Sequence, residues 1–229
     1  MKYPYDLHIH SVLSPCADCL MTPNNILNMA MLKGLKIVSV TDHNSMKQLP
    51  ILMELAQSYD FLFVPGVEIS TLENHHVLVY FKTLEAAMKF ETILDTFRLP
   101  LQKPYGAASI TDDEDQITQT IANISSEPLN LTYEDLRKKL RPFQHLVILA
   151  HVDRPNTNFL TNIHQFASDG IELTNCDQLM IEKDGLSQFK ILFNSDAHDL
   201  LAISEPKMHN TIELESLSID AFFRYFKNE

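Results

Sequence analysis

The chain has 229 residues, 45 % of them apolar, with 18 basic against 30 acidic side chains and a formal net charge of −12. This size and composition suit one compact domain that needs no disulfide or structural zinc, and the charge disfavours a protein that grips long nucleic acids through a basic surface. No apolar run approaches the ~20 residues of a membrane span. The N-terminus lacks the apolar core of a secretory signal and three cysteines cannot all pair, so a reducing cytoplasm is expected.

Short β-rich runs alternate with helical patterns along the chain. Strands are expected at Asp6–His10, Lys36–Thr41, Phe61–Val67, His76–Phe81, His145–Ala150, Gly170–Leu173 and Lys190–Asn194. Thr22-Pro23 reads as an N-cap followed by proline at the first helical position, and Gly34 stands where that helix should end. Further helices are expected over Met46–Tyr59, Leu84–Phe97, Thr132–Leu140 and Ser218–Phe226. In the second of these, Ala86, Phe90, Ile93 and Phe97 recur at helical spacing; the Ile219, Phe222, Phe223 and Phe226 stripe of the last is read as core packing. Between Pro100 and Leu131 no strand is evident, and a short helix around Glu114–Ile124 is expected after an acidic loop, Thr111–Asp115, that is either solvated or a lid.

Seven strands alternating with helices suggest a βα-type barrel or a doubly wound sheet, in which function gathers at the C-terminal strand ends. Metal-ligand residue types sit at just those ends. Asp6, His8 and His10 alternate along one strand and so share a face. Thr41-Asp42-His43-Asn44, Gly66-Val67-Glu68, His151-Val152-Asp153-Arg154-Pro155 and Asn194-Ser195-Asp196-Ala197-His198 each close an apolar run. His76 instead begins its strand, which a hairpin after Glu68 would reconcile.

In this order the motifs resemble the PHP (polymerase and histidinol phosphatase) superfamily, from Asp6 to His198. The stretches His10-Ser11-Val12-Leu13-Ser14-Pro15-Cys16-Ala17-Asp18 and Ala150–Pro155 are most similar to its stand-alone bacterial members. The resemblance implies a distorted (β/α)7 TIM-like barrel, a single domain over residues 1–229, and up to three divalent metal ions, with zinc, manganese or iron suiting such ligands. It implies that His8, His10, Glu68 and Asp196 hold the first ion. Glu68 would bridge to a second, which also takes His76 and His151. Asp18, His43 and His198 would hold the third. Asp18 has the family's spacing before Thr22-Pro23; the alternative is an exposed loop aspartate. His76 is preferred to His75 because it directly precedes the strand.

Around this set, Asp6 and Asp42 are expected as supports, Asp6 as acceptor for a ligand's ring N–H. Cys16-Ala17-Asp18-Cys19 lacks the partners of a structural zinc site and is expected only to fill a loop beside the metals. His145, His164 and His209 are expected to be ordinary core or surface residues. The implied activity is a metal-dependent phosphoesterase acting on a small phosphomonoester or nucleotide, with water activated by the ions as nucleophile. Arg154 is either a phosphate clamp or a surface ion-pair partner. The alternatives are an amidohydrolase-type hydrolase, against which the absence of a bridging lysine counts, and a metal-binding PHP module without turnover.

Overall fold

The computed structural model describes residues 1–99, 106–154, 163–177 and 185–227. Pro155 and residues 100–105 of the expected irregular segment lie outside them. The element order is β1 (Lys2–Asp6), α1 (Pro23–Leu32), β2 (Ile37–Val38), α2 (Leu49–Ala56), β3 (Leu62–Phe63), β4 (Gly66–Ser70), β5 (His76–Phe81), α3 (Leu84–Leu94), β6 (Ala108–Thr111), β7 (Ile117–Ile121), α4 (Tyr133–Leu140), β8 (His145–Leu149), β9 (Gly170–Glu172), β10 (Ile191–Leu192), β11 (Thr211–Glu213) and α5 (Ile219–Lys227). This is an α/β fold. No helix among the described residues is long and apolar enough to cross a membrane.

Among the described residues the strands form two main sheets, ordered β11-β1-β2-β3 and β10-β9-β8-β5-β4, and a separate β6-β7 hairpin. β1, β2 and β3 run parallel, as do β8, β9 and β10, whereas β5 is antiparallel to both β4 and β8. The β4–β5 hairpin pairs Ser70 with His76 and so turns the start of β5 back beside Glu68. Two isolated parallel bridges, Ile9 with Ala197 and His43 with Glu68, join the two sheets along their seams.

Side-chain alternation divides the apolar residues between two faces. Val77, Val79, Val147 and Leu149 meet Ile26 and Leu27 of α1, Leu52 of α2, Phe90 of α3 and Leu136 of α4 in one buried cluster. Leu78, Tyr80, Leu146 and Ile148 face the other way and are covered by Phe222, Phe223 and Phe226 of α5. The aromatic stripe of α5 is therefore core, as read from its spacing. In α3 the buried face is Ala87, Phe90 and Leu94, turned slightly from the expected stripe, and it carries the charged Glu91.

Two glycines do specific work. Gly34, at φ 76°, ends α1 with Leu35 N–H donating to Ala30 C=O and Gly34 N–H to Met31 C=O, the paired bonds of a left-handed helix stop. A Cβ at Gly66 would meet Ser39 Oγ and the Tyr80 ring, both at 2.8 Å, so only glycine lets β4 pass this close to its neighbours.

The helix expected at Glu114–Ile124 is instead a β-hairpin, β6 paired antiparallel with β7. Its acidic turn has a structural task. Asp115, at φ 61°, accepts from Thr22 Oγ1 at 2.7 Å and from the backbone N–H of Asn24 at 3.2 Å. It thereby satisfies the first turn of α1, which Thr22's own side chain does not cap. Asp115→Ala should lower stability by ~1 kcal/mol in urea unfolding, whereas Asp113→Ala, at an exposed side chain, should leave it unchanged; equal losses would contradict this role.

Candidate metal centre

The two seams bring the candidate ligands together by backbone register. At one, His10 N–H donates to Ala197 C=O at 2.9 Å and Ala197 N–H to His8 C=O at 3.2 Å. Pairing Ile9 with Ala197 sets His8 and His10 against Asp196 and His198. At the other, Asn44 N–H donates to Glu68 C=O at 2.7 Å and Glu68 N–H to Asp42 C=O at 3.2 Å, which sets His43 against Glu68. The turns that present these side chains use left-handed backbone at Asn44 (φ 54°), His151 (φ 32°) and Asp196 (φ 52°). Such conformations persist where the surroundings over-determine them.

Glu68 stands at the centre, its side chain only 1 % exposed. Its Oε1 accepts from His76 Nδ1 at 2.8 Å and His151 Nε2 at 3.1 Å. Its Oε2 lies 2.9 Å from His43 Nδ1 and 3.4 Å from both His8 Nε2 and His10 Nε2. Among the described residues neither Oε2 nor His43 Nδ1 makes a well-formed hydrogen bond, although both are buried and lie 2.9 Å apart as an ion pair. Burial would push the Glu68 carboxyl up, but the charges of His8, His43 and His76 and the His151 hydrogen bond hold it well below the usual carboxylate range. Burial would push His43 down, and the Glu68 charge raises it instead to about 10.

Hydrogen bonds around the centre decide which nitrogens face inward. Ser14 Oγ donates its one proton to Asp42 Oδ1 at 2.7 Å. It must therefore accept from His10 Nδ1–H at 3.1 Å, leaving the His10 Nε2 lone pair inward. His8 Nδ1–H faces both oxygens of Glu172, at 3.1 and 3.0 Å, so its Nε2 also points inward. These two nitrogens are 3.2 Å apart. Asp196 Oδ1 lies 3.3 Å from His8 Nε2 and 3.1 Å from His10 Nε2. Two ring nitrogens and two carboxylate oxygens thus converge with the neighbouring donors already used on the far side. A cation is the group that satisfies such a set.

Among the described residues, three groups of side chains offer ligand atoms within 4.8 Å of one another: His8, His10, Glu68 and Asp196; His43, Glu68 and His76; and His10, His43 and His198. The expected first set is the first of these. The expected second set also meets, with His76 and His151 sharing Glu68 Oε1. Of the expected third set, His43 and His198 come together, their ring centroids 5.9 Å apart. Asp18 does not join them: it is exposed, and its Oδ1 accepts from Leu20 N–H at 2.8 Å. Cys16, two residues earlier in the same loop, is also exposed. His75 packs edge-on against Phe166 at 5.0 Å, outside the centre. Arg154 Nη2 donates to Asp196 Oδ2 at 2.7 Å, with 43 % of its side chain exposed.

The supports differ in part from expectation. Asp6 takes no ligand ring; it accepts from the backbone N–H groups of Ser204 and Ser195 at 2.8 and 3.2 Å. Its place beside His8 is filled by Glu172, which also accepts from Asn194 Nδ2 at 2.6 Å and His151 N–H at 3.1 Å. A glutamate inside the apolar strand run Gly170–Leu173 was the available signal, since a buried acid there needs a reason. Asp42 is a support, binding Ser11 and Ser14. Two further residues had no motif to betray them. Glu91 and Arg98 pair in the interior at 2.7 Å. Together they hold the chain beyond His43, Arg98 by donating to Asn44 C=O and Glu91 by accepting from Met46 N–H.

The site is thus a buried, acid-centred cluster of imidazoles built where two sheets meet. The family model described as PHP domain matches residues 6–229, and the chain belongs to that family. It is 37 % identical over 76 residues to the 5′-3′ exoribonuclease Rnm of Salmonella typhimurium, a match covering 32 % of this chain and 25 % of that protein. It is 34 % identical over 77 residues to an uncharacterized protein of Methanocaldococcus jannaschii, covering 30 % of this chain and 45 % of the other. Among solved structures, the lesion-specific endonuclease PfuEndoQ from Pyrococcus furiosus superposes with a TM-score of 0.73 at 20 % identity, over 100 % of this chain and 56 % of that one. A protein assigned as a metal-dependent phosphoesterase from Bifidobacterium adolescentis superposes with a TM-score of 0.61 at 15 % identity, over 97 % and 94 % of the two chains. The chain therefore spans only part of the named nucleases, and the structural likeness is one of fold.

Removing Glu172 would leave a ring N–H, an amide and a backbone N–H without their buried acceptor. Glu172→Ala in chelator-treated protein should cost about 3–5 kcal/mol of unfolding free energy, measured in guanidinium; a loss below ~1 kcal/mol would show that these bonds do not hold the centre.

Proposed function

We propose that the protein is a metal-dependent phosphoesterase that hydrolyses a small phosphomonoester or nucleotide at a centre of three divalent ions. The observation that carries this reading is the buried Glu68 carboxylate, surrounded by imidazoles yet with one oxygen making no well-formed hydrogen bond. Glu68, His8, His10 and Asp196 would hold one ion; Glu68, His76 and His151 a second; His43 and His198 belong to the third. Ions held there supply Lewis acidity, which activates water and neutralises phosphate oxygens. Zinc, manganese and iron each suit imidazole and carboxylate donors.

The remaining work falls to the chain itself. Glu172 and Ser14 orient the rings of His8 and His10, so each Nε2 faces the centre before any ion enters. Arg154, exposed at the rim beside Asp196, supplies a guanidinium able to orient a phosphate by two N–H groups. The two sheets are taken as parts of a distorted (β/α)7 barrel meeting at the Ile9–Ala197 and His43–Glu68 bridges, within a single domain over residues 1–229. Three unpaired, exposed cysteines suit a reducing cytoplasm.

A second reading, hydrolysis of phosphodiester ends in nucleic acid, is favoured by the 37 % identity to an exoribonuclease. The net charge of −12 weighs against an extended nucleic-acid track, so a short strand end is the form this reading takes.

Metal-depleted protein reloaded with manganese, zinc or ferrous iron should be assayed on phosphomonoesters, nucleotides and short oligonucleotides. Turnover of a monoester should require metal, and Glu68→Gln should lower bound metal and activity together, the latter by ~100-fold or more. A fully metallated protein inert toward all of these would overturn the assignment. Cleavage of oligonucleotides alone would favour the second reading.

A further inference from the structure

The chain leaves the sheet one residue after His43, and the way it leaves bears on the metal centre. Asn44 N–H donates to Glu68 C=O at 2.7 Å and Glu68 N–H to Asp42 C=O at 3.2 Å, the bond pattern of a parallel pair. Continued by one step, that pattern would send Ser70 N–H to the main-chain carbonyl of Asn44. At φ 54° this carbonyl turns away instead, and Arg98 Nε and Nη2 donate to it. The side chain takes its place in the ladder: Asn44 Oδ1 accepts from Ser70 N–H at 2.8 Å.

The other end of the amide is used as fully. Asn44 Nδ2 donates to Ser125 C=O at 2.9 Å and to Glu127 C=O at 3.0 Å, which settles which end is oxygen. One residue therefore brackets Glu68, holding its C=O with a backbone N–H and the Ser70 N–H with a side-chain oxygen. Asn44, Glu68 and Ser70 are all buried, so a Ser70 N–H released from Oδ1 would be a buried donor without an acceptor. The position asks for a residue that tolerates left-handed backbone, accepts one bond and donates two. Asparagine meets all three demands, whereas glycine meets the first alone and aspartate lacks the donors.

We propose that Asn44 is a positioning residue of the metal centre. Its side chain stands in for a main-chain carbonyl in the ladder and thereby sets the Glu68 carboxylate against His43. This rests on the metal-centre reading above. The sequence neighbour of one candidate ligand thus acts on two of them at once, through backbone that neither His43 nor Glu68 can hold with its own side chain.

Hydrogen exchange and metal titration of the full chain separate the bond from its role. Asn44→Gly keeps the left-handed turn and loses the amide. In chelator-treated Asn44→Gly the Ser70 amide, measured relative to amides of β8, should exchange about 10-fold faster than in the wild type. The same variant should bind Mn²⁺ about 10–100-fold more weakly. Asn44→Asp retains the acceptor for Ser70 N–H, so it should keep the Ser70 protection and bind Mn²⁺ no more weakly than the wild type; it also serves if the glycine variant does not fold. Asp115→Ala, destabilised through α1 instead, should bind Mn²⁺ as the wild type does and marks what lost stability alone can do. Wild-type Mn²⁺ affinity or unchanged Ser70 protection in Asn44→Gly, or weakened Mn²⁺ binding in Asn44→Asp or Asp115→Ala, would each overturn the proposal while leaving the centre intact. Wild-type protein that binds no metal would overturn both.

Discussion

A carboxylate buried among imidazoles governs this structure. Moving an ionised carboxylate out of water costs several kcal/mol even after relaxation, and Glu68 is almost wholly enclosed. Its charge is balanced by the histidines on every side, which hold it ionised while it in turn holds His43 in the charged form. Neither can be removed alone without leaving a buried charge uncompensated. A cation can replace protons in this arrangement and satisfy the same carboxylate, which is the physical link between folding and metal binding in such sites.

That constraint explains the shape of the fold around it. Two sheets, each with an apolar face against helices, meet at seams where the backbone pairing is reduced to single bridges. Those bridges fix the register of the ligands, so the centre is assembled by main-chain hydrogen bonds rather than by long, flexible side chains. The left-handed turns at Asn44, His151 and Asp196 are the local cost, of order 1–3 kcal/mol each, and the network around them offsets it. Glu91 and Arg98 anchor the turn after His43 from within the helix layer, which ties the position of a candidate ligand to the packing of α3.

Much of this was legible in the sequence because it rests on local periodicity. His8 and His10 alternate with Leu7 and Ile9, and Glu68 with Val67 and Ile69, so one residue's face follows from its neighbours'. Thr22-Pro23 and Gly34 mark α1, and the start of β5 at His76 required the hairpin that is present. What was not legible depends on contacts distant in sequence. Glu172 meets His8 across 164 positions, so nothing local shows that it, and not Asp6, receives the ring N–H. The turn of the 111–115 run caps a helix some 90 residues earlier. Its second strand, β7, is short and exposed and gave no amphipathic period to set against a helical reading. The outward orientation of Asp18 follows from a loop pinned by His198, which belongs to the other end of the chain.

The family assignment sets the class of chemistry to be tested, and the convergence of unpaired lone pairs on one enclosed point gives that chemistry a location. The most direct measurement is crystallographic: diffraction data collected above and below the absorption edges of zinc, iron and manganese from metal-replete crystals. Separate anomalous peaks are expected around Glu68, one of them among His8, His10 and Asp196 and another beside His76 and His151. Crystals of demonstrably metal-replete protein with no anomalous peak within reach of Glu68 would contradict it.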